Sequence, residues 1–410
     1  MLPQFLRVLR DLLFNCSRVN NAMKITRVNV TWLQAPIPHD LAHVSDFGRN
    51  DTFNTCLVEV ETDEGLVGLG EAKAAVGNLG NHAAIVTVIR EEIAPILVGR
   101  DPRDITAIWE TIYNGTRAGH AIREGRTFPT LGRRGVTVCA LSGVDLALWD
   151  LLGRCLNQPV WRLIGGLVRD RIAAYASGGW APVDGIGEQL TKYVERGHKA
   201  VKMRVGLQDA NVDDSAARVR EARRALGPEV GIMVDAHGTW SVGQARRFAR
   251  KVEDCDLAWF EEPVSPDNVP GQAEVRAATD IPIAAGESAQ TRFGFREMID
   301  AKAVDILQPD LAITGGLTET MRICALAATY GLTVAPHLWG SAVLFAAGLH
   351  LAAATPCATI LEFSRGVNPL LHEMVEETFE MEDGHVLVPK RPGLGLTLRR
   401  DFVDRVAVKN

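Results

Sequence analysis

Eight short apolar runs, rich in β-branched residues, recur about every 25 residues from Arg171 onward. They are "RIAAYAS", "KAVKMRV", "VGIMVDA", "LAWFEEP", "IPIAAGE", "VDILQPD", "LTVAPHL" and "ATILEFS". Stretches of helical periodicity, such as "DDSAARVREARRALG" and "SVGQARRFARKVED", lie between them. This rhythm predicts βα units and a parallel sheet, because parallel strands need a crossover to return the chain. Eight such strands are enough to close a barrel. The expected fold class is α/β, a (β/α)7-8 TIM-type barrel; a doubly wound open sheet is the alternative.

The chain before the barrel has a different pattern. "KITRVNVTWLQA" alternates polar and apolar, and "NTCLVEVETDEGLVGLGEA" reads as a hairpin turning at Asp63-Glu64-Gly65. Helical patterns follow near His82–Leu97, Arg103–Asn114 and Gly135–Leu156. Together they predict an N-terminal α+β capping domain. The turn-rich end, "FEMEDGHVLVPKRPGLGLTLRRDF", is expected to return to it and complete it. The expected organisation is an extension over 1–22, the cap over 23–155, the barrel over 156–380 and the tail over 381–410. Arg7, Arg10 and Asp11 interrupt the apolar stretch of the extension, which makes a poor secretory core. Two readings of it remain: a weak amphipathic targeting segment, and, preferred, an upstream start with Met23 opening the domain.

A net charge of -6 argues against a nucleic-acid partner. No unbroken run of about 18 apolar residues is present, so no membrane partner is expected. The seven cysteines include no CxxC pair and are expected to be reduced, which suits a cytoplasmic protein.

The ends of the apolar runs carry the chemistry. The second ends in Lys202 and Arg204, the third in Asp235 and His237, the fourth in Glu261 and Glu262, the fifth in Glu287. The sixth ends in Asp310, the seventh in His337 and the eighth in Glu362. In a closed parallel barrel these ends converge on one rim, where active sites of this architecture lie. Asp235, Glu261 and Glu287 stand on adjacent strands, and three ionised carboxylates crowd together only around a cation. Hard oxygen donors without cysteine suit Mg²⁺; salt bridges to Lys and Arg are the alternative. A regular strand turns Glu262 away from this group. Asp310 beside His337 would fix the tautomer of a general base. Lys202 and Arg204 share a strand face and could clamp a substrate anion or simply neutralise the acids opposite.

The segments "KMR", "VDA", "FEEP", "AGES", "QPD", "APH" and "LEF", in this order, resemble the mandelate racemase subgroup of the enolase superfamily. So do "GVDLALWDLLGRCLNQPVWRLIGG", "DEGLVGLGEA" and "RPGLGL". The resemblance implies removal of a proton α to a carboxylate and a Mg²⁺-stabilised enediolate. It implies Asp235, Glu261 and Glu287 as metal ligands, and Lys202 as a hold on the substrate carboxylate. His337, oriented by Asp310, becomes the base, and Glu362 a neutral acid hydrogen-bonded to the enediolate. The subgroup's second lysine is here Arg204, a poor base. A racemase needs a base on each face, so this departure argues against racemisation.

"DAHG" is similar to the metal Asp and following His of the acid-sugar dehydratases of this superfamily, such as galactonate dehydratase. By that resemblance His237 protonates the departing hydroxyl. The implied enzyme is a Mg²⁺-dependent dehydratase of an aldonic or aldaric acid, giving a 2-keto-3-deoxy acid. A racemase or epimerase of a 2-hydroxy acid and a non-catalytic acid-sugar binder are the alternatives. The loop carrying His39, His43, Asp46 and Arg49, and the stretch with Lys73, are candidate lids that select the substrate, with His39, Arg49 and Lys73 as its contacts. Arg117, His120 and Arg123 lie in another polar loop. The resemblance also implies a homo-oligomer.

Overall fold

A computed structural model describes residues 23–39, 44–45, 48–49, 51–74, 82–115, 134–206 and 209–409. The extension over 1–22, and His43, Asp46, Arg117, His120 and Arg123, lie outside the described residues.

The cap is built on an antiparallel sheet of β1 (Ile25–Pro36), β2 (Thr52–Thr62) and β3 (Val67–Ala72), in the order β1–β2–β3. The β2–β3 hairpin is the one expected from the sequence, pairing Glu61 with Val67 and Cys56 with Ala72. Helices cover one face: α1 (His82–Thr87), continued through a π-helical turn, α2 (Ile105–Asn114) and α3 (Val136–Leu156). The glycines of β3 let α3 come close. A methyl group on Gly70 would overlap the Gly143 carbonyl, and one on Gly68 the Ala147 carbonyl.

α3 is the one helix, among the described residues, long and apolar enough to cross a membrane. Asp145, Asp150 and Arg154 interrupt its apolar run, and it is a core element with 78% of its apolar window buried. Its polar groups are used inside the protein. Ser142 Oγ accepts from Gly315 N, Asp145 from Thr318 N and Oγ1, and Asp150 from Leu69 N and Leu394 N. The helix thus joins cap, barrel and tail.

After a short α4 (Val160–Leu163), eight parallel strands follow: β4 (Arg171–Ser177), β5 (Ala200–Arg204), β6 (Gly231–Asp235), β7 (Leu257–Glu261), β8 (Ile283–Ala285), β9 (Ile306–Leu307), β10 (Thr333–Val334) and β11 (Ile360–Ser364). Neighbours pair in sequence order from β4 to β10. β11 pairs in parallel with β4, and a bridge from Val334 to Ala358 closes the ring. The open sheet is thereby excluded. Crossovers are α5 (Val183–Glu195), α6 (Val212–Leu226), α7 (Val242–Lys251), α8 (Val269–Arg276), α9 (Thr291–Asp300), α10 (Gly316–Thr329) and α11 (Ala342–Ala354). After β11 comes α12 (Pro369–His372), a single turn. Local chemistry sets several starts: Asn211 caps α6 through the Asp213 and Asp214 amides, and Ser241 and Gln244 form a capping box on α7. Tyr175, Met233, Trp259, Ala284 and Ala335 fill the barrel interior.

The tail returns in two steps. β12 (Met381–Glu382) and β13 (His385–Leu387) form a hairpin that pairs with the start of β4, on the barrel. Before α13 (Arg400–Val406) the tail meets α3 of the cap, Leu394 N donating to Asp150 and Leu396 O accepting from Arg154, and after it Val408 N donates to Trp32 O.

Candidate active site

Register brings the ionisable groups of the rim together. Arg204 lies beside Asp235, and Asp235 beside Glu261, on β5, β6 and β7. Met233 and Trp259 face the interior, so Asp235 and Glu261, two residues on, face it one pleat higher. β8 ends at Ala285, and Gly286, at φ +130°, turns the chain so that Glu287 joins them. Asp235, Glu261 and Glu287 are buried, and each offers an oxygen within 4.8 Å of those of the others.

Cations already surround this cluster. Lys202 Nζ lies 2.5 Å from Glu261 Oε1, 3.1 Å from Glu362 Oε1 and 3.7 Å from Asp235 Oδ2. Burial works against its charge, but Glu261 and Glu362 hold its pKa well above the ordinary lysine value. Arg204 Nη1 lies 2.8 Å from Asp235 Oδ2. Glu261 also accepts from Gln308 Nε2 at 2.7 Å and Trp259 Nε1 at 3.0 Å. Burial still pushes its carboxyl up to about 7, with Lys202 opposing and Asp235 and Glu287 adding to it.

Two histidines flank Glu287. His337 Nε2 is 3.5 Å from its Oε2, and His237 Nε2 is 3.4 Å from its Oε1. Burial opposes ionisation of Glu287, yet the imidazoles hold its pKa below the usual carboxylate range. His337 Nδ1 lies 2.7 Å from Asp310 Oδ2, and Asp310 Oδ1 accepts from Ala312 N at 2.8 Å. In this pairing His337 Nδ1–H donates to the Asp310 carboxylate, which leaves Nε2 facing the cluster. Glu362 accepts from Leu338 N at 2.9 Å. Burial would raise its carboxyl, but Lys202 and His337 bring it down to about 2. In this arrangement Lys202 and His337 favour the carboxylate form of Glu362.

Several of these groups lie past their strands. β6 ends at Asp235, and His237 reaches the site by a turn with φ +52°, its amide donating to Asp235 Oδ1 at 2.9 Å. Pleat alternation is therefore not what places it. Such a backbone in a non-glycine residue is costly and collects at functional sites. Glu262, expected to point away, is buried at φ +40°. Burial raises its carboxyl, and Glu287 and Asp235 add to the rise.

Three carboxylates, no sulfur donor, and a Glu287 Oε1 that accepts no hydrogen bond of good geometry make a donor set that fits Mg²⁺.

Family models match both halves of the chain. "Mandelate racemase / muconate lactonizing enzyme, N-terminal domain" covers residues 22–165, and "Enolase C-terminal domain-like" covers 185–402. The chain belongs to the mandelate racemase/muconate lactonizing enzyme family of the enolase superfamily. Among its relatives in the family, D-galactarolactone cycloisomerase of Agrobacterium fabrum is 35% identical over 92% of this chain and 97% of its own length. Arabinonate dehydratase of Saccharolobus solfataricus is 32% identical over 86% of this chain and 90% of its own. D-galactonate dehydratase of Verminephrobacter eiseniae is 33% identical over 84% and 89%. A racemase from Streptomyces coelicolor solved with bound magnesium superposes with TM-score 0.82 at 30% identity, covering 94% of this chain and 100% of its own.

Of the cap residues expected to contact substrate, two are exposed and one is buried. Arg49 pairs with Asp51 at 2.8 Å and donates to the His39 carbonyl, and both Arg49 and His39 are exposed. Lys73 is buried, 2.8 Å from Asp310 Oδ2. Sequence reasoning missed Gln308, Trp259 and Ser177, which hold Glu261 and Glu362. "DILQPD" does place Gln308 one pleat before Asp310, a signal available in the chain.

Proposed function

We propose that this protein is a Mg²⁺-dependent dehydratase of a polyhydroxylated aldonic or aldaric acid. It removes the proton at C2 and then the hydroxyl at C3, as water, to give a 2-keto-3-deoxy acid. The observation that carries the reading is the pair of imidazoles on the two oxygens of Glu287, one of them backed by Asp310. Relatives named as dehydratases of galactonate, arabinonate and xylonate support it.

Asp235, Glu261 and Glu287 would hold the metal. When bound, Mg²⁺ supplies positive charge beside the substrate carboxylate, which makes a very weakly acidic α-proton removable. His337 takes that proton at Nε2, while Asp310 fixes the ring through Nδ1. Lys202, between Glu261 and Glu362, faces the substrate carboxylate, and Glu362, in its protonated form, donates a hydrogen bond to the oxygen on which negative charge develops. Hydroxide is a poor leaving group, so elimination gains from a donor at C3. His237 Nε2 delivers that proton. Arg204 is engaged with Asp235, and an arginine is a poor second base, which disfavours racemisation.

A second reading, a lactone cycloisomerase, is favoured by the Agrobacterium relative. It uses the same proton removal, with the ring oxygen departing instead of hydroxide. Phe53, Trp339 and Trp180 form an aromatic chain, with ring centroids 5.6 and 5.8 Å apart, which suits a ring face. We also place the protein in the cytoplasm as a homo-oligomer; six described cysteines free of disulfides support the reducing compartment.

The test is a screen of four- to six-carbon aldonic and aldaric acids and their lactones with Mg²⁺, read as the semicarbazone of a 2-keto product. A hit among the acids, lost in His337→Asn, is expected. A hit among the lactones alone selects the cycloisomerase. Deuterium entering returned substrate without keto acid would select a racemase, and ligand-dependent stabilisation without turnover a binding protein.

A further inference from the structure

We infer that Lys73 of the cap is a positioning residue for His337, acting through Asp310 and the Trp339 carbonyl. Its catalytic meaning rests on the function proposed above. Lys73 is the first residue after β3, a cap strand, yet its ammonium lies on barrel groups. It is 2.8 Å from Asp310 Oδ2 and donates to Trp339 O at 2.6 Å. The oxygen it meets is the one that holds His337 Nδ1. Its own amide donates to Ala312 O at 3.1 Å. Lys73 therefore ties the segment after β9 to the segment after β10, one residue group on each side of the imidazole.

The barrel alone gives these segments little support. β9 and β10 are two residues each, and Asp310 and His337 lie three residues past their ends. The cap supplies what the ladder does not. Glu71, two residues before Lys73 and on the same face of the strand, accepts from Ser341 N at 3.0 Å and Leu344 N at 3.0 Å. Glu71 thus holds the start of α11 while Lys73 holds Asp310 and Trp339, so one cap strand grips the base-bearing segment at both ends. Lys73 is 5% exposed, where a lysine serving as a solvated lid would be open. Burial lowers the stability of its charge, and Asp310 and Glu71 more than restore it.

The experiment uses Lys73→Met, which keeps the stem and removes the charge, with Lys73→Gln as the second variant should the first fail to fold. We expect kcat to fall about 100-fold and KM to change less than about threefold, with Mg²⁺ still raising Tm. Lys73→Arg should recover at least about a third of kcat. In an Asp310→Asn background, Lys73→Met should cost less than about threefold more, because both changes remove the same support. Fully multiplying losses, or a raised KM with kcat intact, would overturn the inference in favour of an independent role or direct substrate contact. A readout free of turnover separates this from the proposed function. In ¹⁵N-imidazole spectra, with His337 assigned by His337→Gln, neutral His337 should be a single Nδ1–H tautomer that becomes a mixture in Lys73→Met. An unchanged tautomer in folded Lys73→Met overturns the inference. A wild type that converts no sugar acid while the tautomer does change overturns the function instead.

Discussion

Glu287 shows how much one side chain carries. It lies against both histidines and within 4.8 Å of two other acids. A cation at these carboxylates stabilises the fold by mass action, about 2.7 kcal/mol at a hundredfold excess over Kd. Mg²⁺ should therefore raise the wild-type Tm and a chelator reverse it, while Glu287→Gln should abolish the response in scanning calorimetry. A full Mg²⁺ response in that variant would remove Glu287 from the metal site. The acids, Asp310 and His337 were legible because each follows an apolar run whose register on the rim is fixed by the barrel. The roles of Lys73 and Glu71 were not, because their partners lie more than 200 residues away in sequence. Only the folded contact between cap and barrel reveals them. His237 was legible through "DAHG", but the left-handed turn that brings it in was not, because no strand pattern encodes such a turn.

Among the elements, α3 decides how cap and barrel fit. Its approach to β3 requires bare backbone at Gly70 against Gly143. Gly70→Ala should destabilise the fold by about 3 kcal/mol, since neither backbone can yield cheaply. Urea unfolding measures this, and a loss below about 1 kcal/mol would mean that the contact is looser than described. The eight-strand rhythm was legible because buried parallel strands are continuous apolar runs. The lengths of β9 and β10 were not, since "VDILQPD" and "LTVAPHL" look like full strands but pair over two residues each. Proline in both runs, Pro309 and Pro336, removes a ladder donor and helps explain the early ends.

On the scale of the whole molecule, buried neutral histidines link stability to acidity. His350 Nδ1 accepts from Trp161 N at 3.1 Å, and burial lowers its pKa from 6.5 to about 4. The unfolded chain takes the proton near the ordinary value, whereas the folded chain refuses it until about 4. Stability from this group is complete above about pH 6.5 and is lost as pH falls toward 4, on the order of 3 kcal/mol. Burial lowers His82 and His198 to about 4 as well, which adds to the same slope. Urea midpoints at pH 8, 6 and 4.5 should fall for the wild type and fall less for His350→Gln; equal slopes would contradict this. The reaction of the intact protein is tested most directly by following C2 proton exchange and keto-acid formation together in deuterated water, in His237→Asn. If His337 is the base and His237 the acid, exchange into recovered substrate persists while elimination drops about 100-fold. Elimination at the wild-type rate in that variant would contradict the two-histidine assignment.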